Sequence, residues 1–367
     1  MALETVSPPA SAAVPAAAPA IAPAHAVSAR APLRLGFAGG GTDVAPFCTE
    51  HGGLVMNATI NLYAYAHISR RTDGRVVFNA ADVDEQWEQE AEARIAPEGA
   101  ALLHKGVYNC MVAEFNAGRP LAVTVTTTVD APKGSGLGSS SALVVALLRA
   151  YDEYLRLQLS EHEIAALAFR IERADLGLAG GAQDQYAAAF GGFNFIEFRK
   201  SGAVVVNQLR IRADLIRQLE SSILLYFTGA SRESATVIKQ QRKNMEGQQA
   251  DAIAAFMSLK EEAVLMKDAI LRGDIPALGA ALNAGWEQKK RTAKAVSTPE
   301  IDALISGAYE HGAYAAKLSG AGGGGFMFLL CDPTRRHALA NYFKANGRGE
   351  ILPCHFTEHG ATSWRLR

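Results

Sequence analysis

The chain has 367 residues, 49% of them hydrophobic and 20% charged, with a formal net charge of −1. That length suits about two globular domains, and the balanced charge carries no electrostatic footprint for nucleic acid. No apolar run reaches the length of a membrane span. Four scattered cysteines without a Cys-x-x-Cys pair exclude a zinc knuckle or a disulfide scaffold and fit a reducing cytoplasm.

Met1 to about Ala29 is mostly Ala, Pro, Val and Ser and reads as a disordered tail. Glu4 comes first and prolines interrupt each apolar run, which does not fit a secretory leader. Leu33 to Ala38 and Val55 to Ile68 then read as strands, and the Arg71–Gly74 turn before Val76-Val-Phe78 predicts a hairpin. Leu121 to Val129 alternates apolar residues with Thr, the period of a half-buried strand. Glycines follow, and then a helix from Ala142 to Leu155. Ser160 as N-cap with Glu163 three residues on is a capping box, opening a helix that runs to Arg173. Phe193–Phe198 and Val204–Leu209 form a second predicted hairpin. A strand at Ser222–Thr228 leads into a long helical region from about Ser231 to Lys290. The Pro299–His311 helix comes next, with strands near Tyr314–Leu318, Gly325–Cys331 and Ile351–Thr357. The pattern is α+β, with one domain over 30–200 and a second over 201–367.

Three glycine-rich segments carry the chemistry. The middle one, Pro132-Lys-Gly-Ser-Gly-Leu-Gly-Ser-Ser-Ser-Ala142, opens a helix. Gly134, Gly136 and Gly138 lack Cβ atoms, so their backbone can enter left-handed conformations and present N–H groups to an anion. The helix end beyond them adds its positive dipole. Lys133 to Ser140, with Ser135, Leu137 and Ser139 between the glycines, therefore reads as a phosphate cradle. It lacks the Gly-Lys-Ser/Thr ending of a Walker A loop. The first segment, Arg30-Ala-Pro-Leu-Arg-Leu-Gly-Phe-Ala-Gly-Gly-Gly-Thr-Asp43, ends in a carboxylate suited to neighbouring hydroxyls, with Gly41 and Thr42 beside it. The third is Lys317-Leu-Ser-Gly-Ala-Gly-Gly-Gly-Gly-Phe326, and Gly180-Gly-Ala-Gln-Asp-Gln-Tyr186 stands between the second and third.

In this order the segments resemble the GHMP kinases, which move the γ-phosphoryl group of ATP to a small hydroxylated metabolite. The resemblance implies a two-domain fold, with an N-terminal ribosomal-protein-S5-like domain and a C-terminal ferredoxin-like domain. It also implies ATP and Mg²⁺ as cofactors, with Ser140 and Glu172 as metal ligands. Read alone, Glu172 is better taken as a solvent-exposed helix charge paired with Arg170 or Arg173, and the neighbouring motifs favour the metal role. Asp184 matches the family's general base, Arg34 the arginine beside it, and Gly181 the turn that brings the substrate close. Gly322 and Gly323 match the second glycine loop, which packs beside the cradle.

The Gly-Gly-Gly-Thr-Asp form of the first segment is similar to the D-glycero-D-manno-heptose 7-phosphate kinase branch and to the related L-fucokinases. The resemblance implies a cytoplasmic sugar 1-kinase that makes the 1,7-bisphosphate on the path to GDP-heptose, with no nucleic-acid or membrane partner. A remote phosphate on the substrate would need cations. Arg232, Lys289 and Lys290 are the candidates, although a Lys-Lys-Arg run also suits a solvated helix face.

Overall fold

The computed structural model describes residues 26–229 and 234–366. In chain order the first part contains β1 (Ala26–Ala38), α1 (Phe47–His51), β2 (Gly53–Arg70), β3 (Arg75–Ala80), β4 (Glu85–Glu90), α2 (Leu102–Cys110), β5 (Val123–Val129), α3 (Ser139–Leu155), α4 (Glu161–Arg170), α5 (Gln183–Phe190), β6 (Phe193–Phe198) and β7 (Val204–Leu209). The second part contains α6 (Ala213–Ser222), β8 (Ile223–Phe227), α7 (Ser234–Glu246), α8 (Ala250–Arg272), α9 (Ile275–Thr292), α10 (Pro299–Glu310), β9 (Ala313–Leu318), β10 (Phe326–Cys331), α11 (Arg336–Asn346), β11 (Glu350–Leu352) and β12 (Thr362–Arg365). Among the described residues, no helix is long and apolar enough to cross a membrane.

The first sheet has eight strands, in the path β12-β1-β2-β5-β3-β4, with β6 added on β2 and β7 on β6. With 18 residues, β2 is long enough to serve two partners on one edge. Its first residues pair with β6 and its last with β5. β1 runs along the other edge, with a register shift at Pro32, which has no N–H for the ladder. Four sequence expectations are corrected here. Ala26–Ala29, expected in the tail, are paired strand residues. The turn at Arg71–Gly74 does not close a hairpin, because β5 lies between β2 and β3 and pairs in parallel with β3. The chain leaves this sheet after Leu209, not at residue 200, since β7 is hydrogen-bonded to β6. Residues 201–367 are not one unit either, because β12 returns to pair with β1.

The second sheet is antiparallel, in the order β11-β8-β10-β9. With helices between β8 and β9 and between β10 and β11, it is the βαββαβ ferredoxin-like arrangement that the resemblance implies. Its central strands are apolar throughout because both faces are covered. Phe326, Phe328 and Leu330 of β10 face the main core, while Met327, Leu329 and Cys331 face a second core against α10 and α11. Phe37, at the end of β1 and 1% exposed, joins the two sheets. Its ring lies 5.4 Å from that of Phe328 and 6.2 Å from that of Phe193. Cys110, Cys331 and Cys354 are buried, and burial pushes the thiols of Cys110 and Cys354 up to about 12, as expected for inert core residues.

The return of β12 makes the carboxyl end part of the amino-terminal sheet. Cutting the chain after Ala361 bares the edge of β1 and removes the Arg365–Glu153 ion pair, 2.6 Å long. We expect a loss of about 1–3 kcal/mol in denaturant unfolding. An unchanged midpoint would contradict the pairing.

Candidate active site

The second and third glycine segments meet backbone to backbone. Gly134, Gly136 and Gly138 take φ of 74°, 80° and 76°, which curls the loop into the N-terminal end of α3. A Cβ on Gly136 would stand 2.5 Å from Ser319 O, and one on Gly325 would stand 2.3 Å from Ser135 O. The amide of Phe326 donates to Ser135 O at 2.7 Å across this seam. The side chain of Ser135 is fully buried, and its Oγ has no hydrogen-bond partner. A loop with free curvature, a 17-residue helix behind it and an orphaned hydroxyl inside fits a phosphate chain. Leu137 puts its side chain into the core, so it contributes only backbone. Lys133 stands exposed at the loop entrance, and Ser139 and Ser140 open the helix.

Arg34 ties this loop to Asp184. Its Nε donates to Asp184 Oδ1 at 2.7 Å and its Nη2 lies 2.5 Å from the same oxygen. Nη1 donates to Gly136 O at 2.6 Å and to Ser319 Oγ at 3.3 Å. One guanidinium, 4% exposed, thus reaches the cradle, the third segment and the carboxylate together. Asp184 sits in the first turn of α5 and keeps 23% of its side chain exposed. A Cβ on Gly138 would lie 3.2 Å from Asp184 Cγ and 3.3 Å from Oδ2, so the missing side chain lets this carboxylate rest over the cradle. The geometry brings a carboxylate against a glycine loop suited to an anion.

Asp43 fastens the turn before α5. Its Oδ2 accepts from the Gln183 amide at 3.1 Å, and its Oδ1 accepts from the Gly41 amide at 3.0 Å and from Gln183 Nε2 at 3.2 Å. Gly181 has to be glycine, since a Cβ would fall 1.9 Å from Asp43 Oδ2. Asp43 is 4% exposed, so its first task is to hold the Gly180–Gln183 loop against the first segment. Thr42, expected at the sugar, is fully buried. Its hydroxyl donates towards Gly39 O at 2.7 Å and Leu54 O at 2.9 Å and accepts from the Leu54 amide. These bonds use its capacity, and Thr42 shapes the turn instead of facing a ligand.

Beside the first segment lies a small cleft lined by Gly36, Gly40, Gln183, Gly285, Lys289 and Lys317 among others. Lys289 is 6% exposed and its Nζ donates to Gly40 O. Burial pushes it down to about 8, with Asp43 opposing and Arg34 adding. Lys317 donates to Gly36 O at 2.9 Å and Phe37 O at 3.1 Å. Burial, then the neighbouring charges of Lys289 and Arg34, push it down to about 7. Lys317 was expected only to lead into the third segment; here it is a second cation in the cleft. Lys290 is not a third. It turns away to Glu287, 2.8 Å, and Asp302, 3.8 Å. Arg232 lies outside the described residues. Gly322 and Gly323 also leave the ligand side, because the Gly323 amide donates to Val296 O at 2.7 Å and a Cβ on Gly322 would stand 2.6 Å from the same oxygen.

The two residues of the expected metal pair, Ser140 and Glu172, are not hydrogen-bonded to each other. Glu172, in a π-helical turn that extends α4, is 2% exposed. It accepts from Ser141 Oγ at 3.1 Å and from Gln185 Nε2, whereas Ser140 is exposed one position away. Burial pushes the Glu172 carboxyl above its usual range and Asp184 adds to this, against Arg173, Gln185 and Ser141. Among the described residues no three side chains of metal-binding type cluster. Mg²⁺ takes one or two carboxylates and completes its shell with water and phosphate oxygens, so Glu172 and the serines at the start of α3 suit it.

The seam predicts two different costs for Gly→Ala. Gly74, with φ 74° and nothing within 4 Å of a built Cβ, should lose only the left-handed penalty of about 1–2 kcal/mol. Gly136→Ala adds the collision with Ser319 O and should cost clearly more in urea unfolding. Equal losses would mean that the two glycine segments do not touch.

Comparison with known proteins agrees with this architecture. The GHMP kinases N terminal domain matches residues 103–192, and GHMP kinases C terminal matches residues 266–349. The D-glycero-alpha-D-manno-heptose 7-phosphate kinase of Campylobacter jejuni is 42% identical over 340 residues, covering 93% of this chain and 99% of that protein. The crystal structure of a D-glycero-D-manno-heptose 1-phosphate kinase from Bacteroides thetaiotaomicron superposes with a TM-score of 0.80 at 39% identity, covering 93% of this chain and 99% of that one. The L-fucokinase/L-fucose-1-P guanylyltransferase of Bacteroides fragilis is 26% identical over 83% of this chain, but only 34% of that protein is covered. With both domain models matched and a relative of this identity spanning its body, the chain belongs to the GHMP kinase family, and it is a phosphotransferase.

Proposed function

We propose that this kinase transfers the γ-phosphoryl group of Mg-ATP to the anomeric hydroxyl of D-glycero-α-D-manno-heptose 7-phosphate in the cytoplasm, giving the 1,7-bisphosphate and ADP. The observation that carries the reading is the placement of Asp184. Arg34 holds its Oδ1, and Oδ2 lies over the glycine cradle at the start of α3. A carboxylate there can accept the proton of the attacking hydroxyl while the cradle holds the phosphate under attack. An anomeric hydroxyl is more acidic than an ordinary alcohol, which suits a carboxylate base.

The amides of Gly134 to Ser139 and the Ser135 and Ser140 hydroxyls would hold the triphosphate, and Glu172 would share the metal with Ser140. Bound Mg²⁺ supplies neutralisation of charge on the phosphate oxygens. Arg34, held against Gly136 O and Asp184, would help stabilise the developing charge. Asp43 keeps α5 in register, which holds Asp184 at its distance from the cradle. Lys289 and Lys317 fit the distal phosphate of the acceptor. A free sugar such as L-fucose would bring no anion of its own to these two ammonium groups and so would gain nothing from them.

Asp184→Asn should lower kcat by about 10²–10⁴-fold while nucleotide binding and thermal stability persist. An Asn variant with wild-type kcat would remove Asp184 from the base role. Lys289→Met should raise the KM for the sugar phosphate tenfold or more, as expected for loss of a charge-assisted contact of about 1.5–3 kcal/mol. Lys290→Met should leave that KM unchanged. Equal effects of the two substitutions would contradict the assigned orientation of α9.

A further inference from the structure

Glu172 is a carboxylate buried to 2% exposure, which is costly unless its oxygens are hydrogen-bonded. Two neutral side chains meet that need, one on each oxygen. Gln185 Nε2 donates to Oε2, and Ser141 Oγ donates to Oε1 at 3.1 Å. Gln185 Nε2 also donates to Ser141 Oγ at 3.1 Å, closing a triangle of contacts. Arg173 Nη1 stands 3.7 Å from Oε1, while its Nε and Nη2 donate to Gly181 O at 3.2 and 3.0 Å. A carboxylate oxygen accepts about two hydrogen bonds, so the two donors leave a position on each for a cation. Gln185 is fully buried, and its Oε1 has no hydrogen-bond partner among the described residues. A position that served packing alone would gain nothing from an amide with an unmet acceptor. The donors also have telling neighbours in the chain. Gln185 follows Asp184 in the first turn of α5, and Ser141 follows Ser140 in the first turn of α3.

We propose that Gln185 and Ser141 are positioning residues that act through Glu172. They fix the carboxylate that would share the cation of Mg-ATP, and they tie it to the helices that carry the base and the cradle. The inference rests on the metal role proposed for Glu172 and adds two residues behind it. Mg²⁺ demands near-octahedral geometry, so a carboxylate already held in one orientation binds it better than one that must first be ordered. Because the donors adjoin Asp184 and Ser140, the same bonds fix how far the metal carboxylate lies from both.

The test is calorimetric binding of a non-hydrolysable ATP analogue, once with excess Mg²⁺ and once with the metal chelated. The ratio of the two Kd values measures the coupling of nucleotide and metal on the enzyme. In Gln185→Met and in Ser141→Ala the Kd with Mg²⁺ should rise about 10–100-fold, as is usual for partners behind a metal ligand. The Kd without metal and the Tm should stay at their wild-type values. Glu172→Gln should lose the gain from Mg²⁺, and adding Gln185→Met to it should bring no further loss, since both act on one contact. Ser141→Ala removes only a hydroxyl and serves if the Gln185 variant fails to fold. Two variants with the wild-type ratio would overturn the proposal. So would a Kd that worsens equally with and without Mg²⁺ while the Tm falls, which marks a merely structural residue. A Glu172→Gln protein that keeps the full gain from Mg²⁺ would remove Glu172 itself from the metal. Loss in Glu172→Gln beside unmoved Gln185 and Ser141 variants would be evidence against the two positioning residues alone.

Discussion

Two glycine segments, some 180 residues apart in sequence, approach so closely that no side chain fits between them. Ser135 O lies where a Cβ of Gly325 would stand, and Ser319 O where a Cβ of Gly136 would stand. This contact joins the phosphate cradle of one domain to the β9–β10 turn of the other, and the remaining geometry hangs from it. Arg34 crosses the seam, bonding to Gly136 O, Ser319 Oγ and Asp184. Phosphoryl transfer asks a protein for position and charge more than for covalent chemistry. A rigid seam with one guanidinium through it supplies both.

Charge placement follows the same economy. The protein is nearly neutral overall, yet Lys289 and Lys317 line one small cleft and Arg34 lies close enough to act on both. Asp184, bonded to Arg34, and Asp43, which acts on Lys289, oppose their mutual repulsion. Burial leaves both lysines below the usual ammonium range, so an anion placed beside them would restore their charge. Asp43 has a double part, since the bonds that place it also fix the turn into α5 and through it Asp184.

Much of the site was legible because glycine runs and their flanking polar residues are local signals. Arg34, Gly134 to Ser140, Asp43 and Asp184 could be picked out on that ground, and the structure gathers them into one place. The resemblance supplied the two-domain fold, and the second sheet has the implied strand order. Pairing partners were not legible. Only tertiary contacts decide that β5 separates β2 from β3, or that β12 returns to β1. Thr42 was misread because its hydroxyl faces Leu54, twelve residues on, in a turn that the sequence does not show closing. The choice between Lys289 and Lys290 did have a signal. Leu278, Leu282, Trp286 and Lys289 form one buried stripe of α9 at helical spacing, and Lys290 falls off it. Lys317 shares a face of β9 with Ala315, which packs in the main core. A charged residue on an apolar stripe was the cue to both.

The most direct test of the whole account is the rate of ADP release with Mg-ATP across a panel of acceptors. Heptose 7-phosphate, its unphosphorylated sugar, L-fucose, galactose and mevalonate would be compared at equal concentration. The account predicts turnover with heptose 7-phosphate and a marked loss when only its phosphate is removed. Equal turnover of the unphosphorylated sugar or of L-fucose would keep the kinase chemistry but contradict the phosphate-binding role of the two lysines.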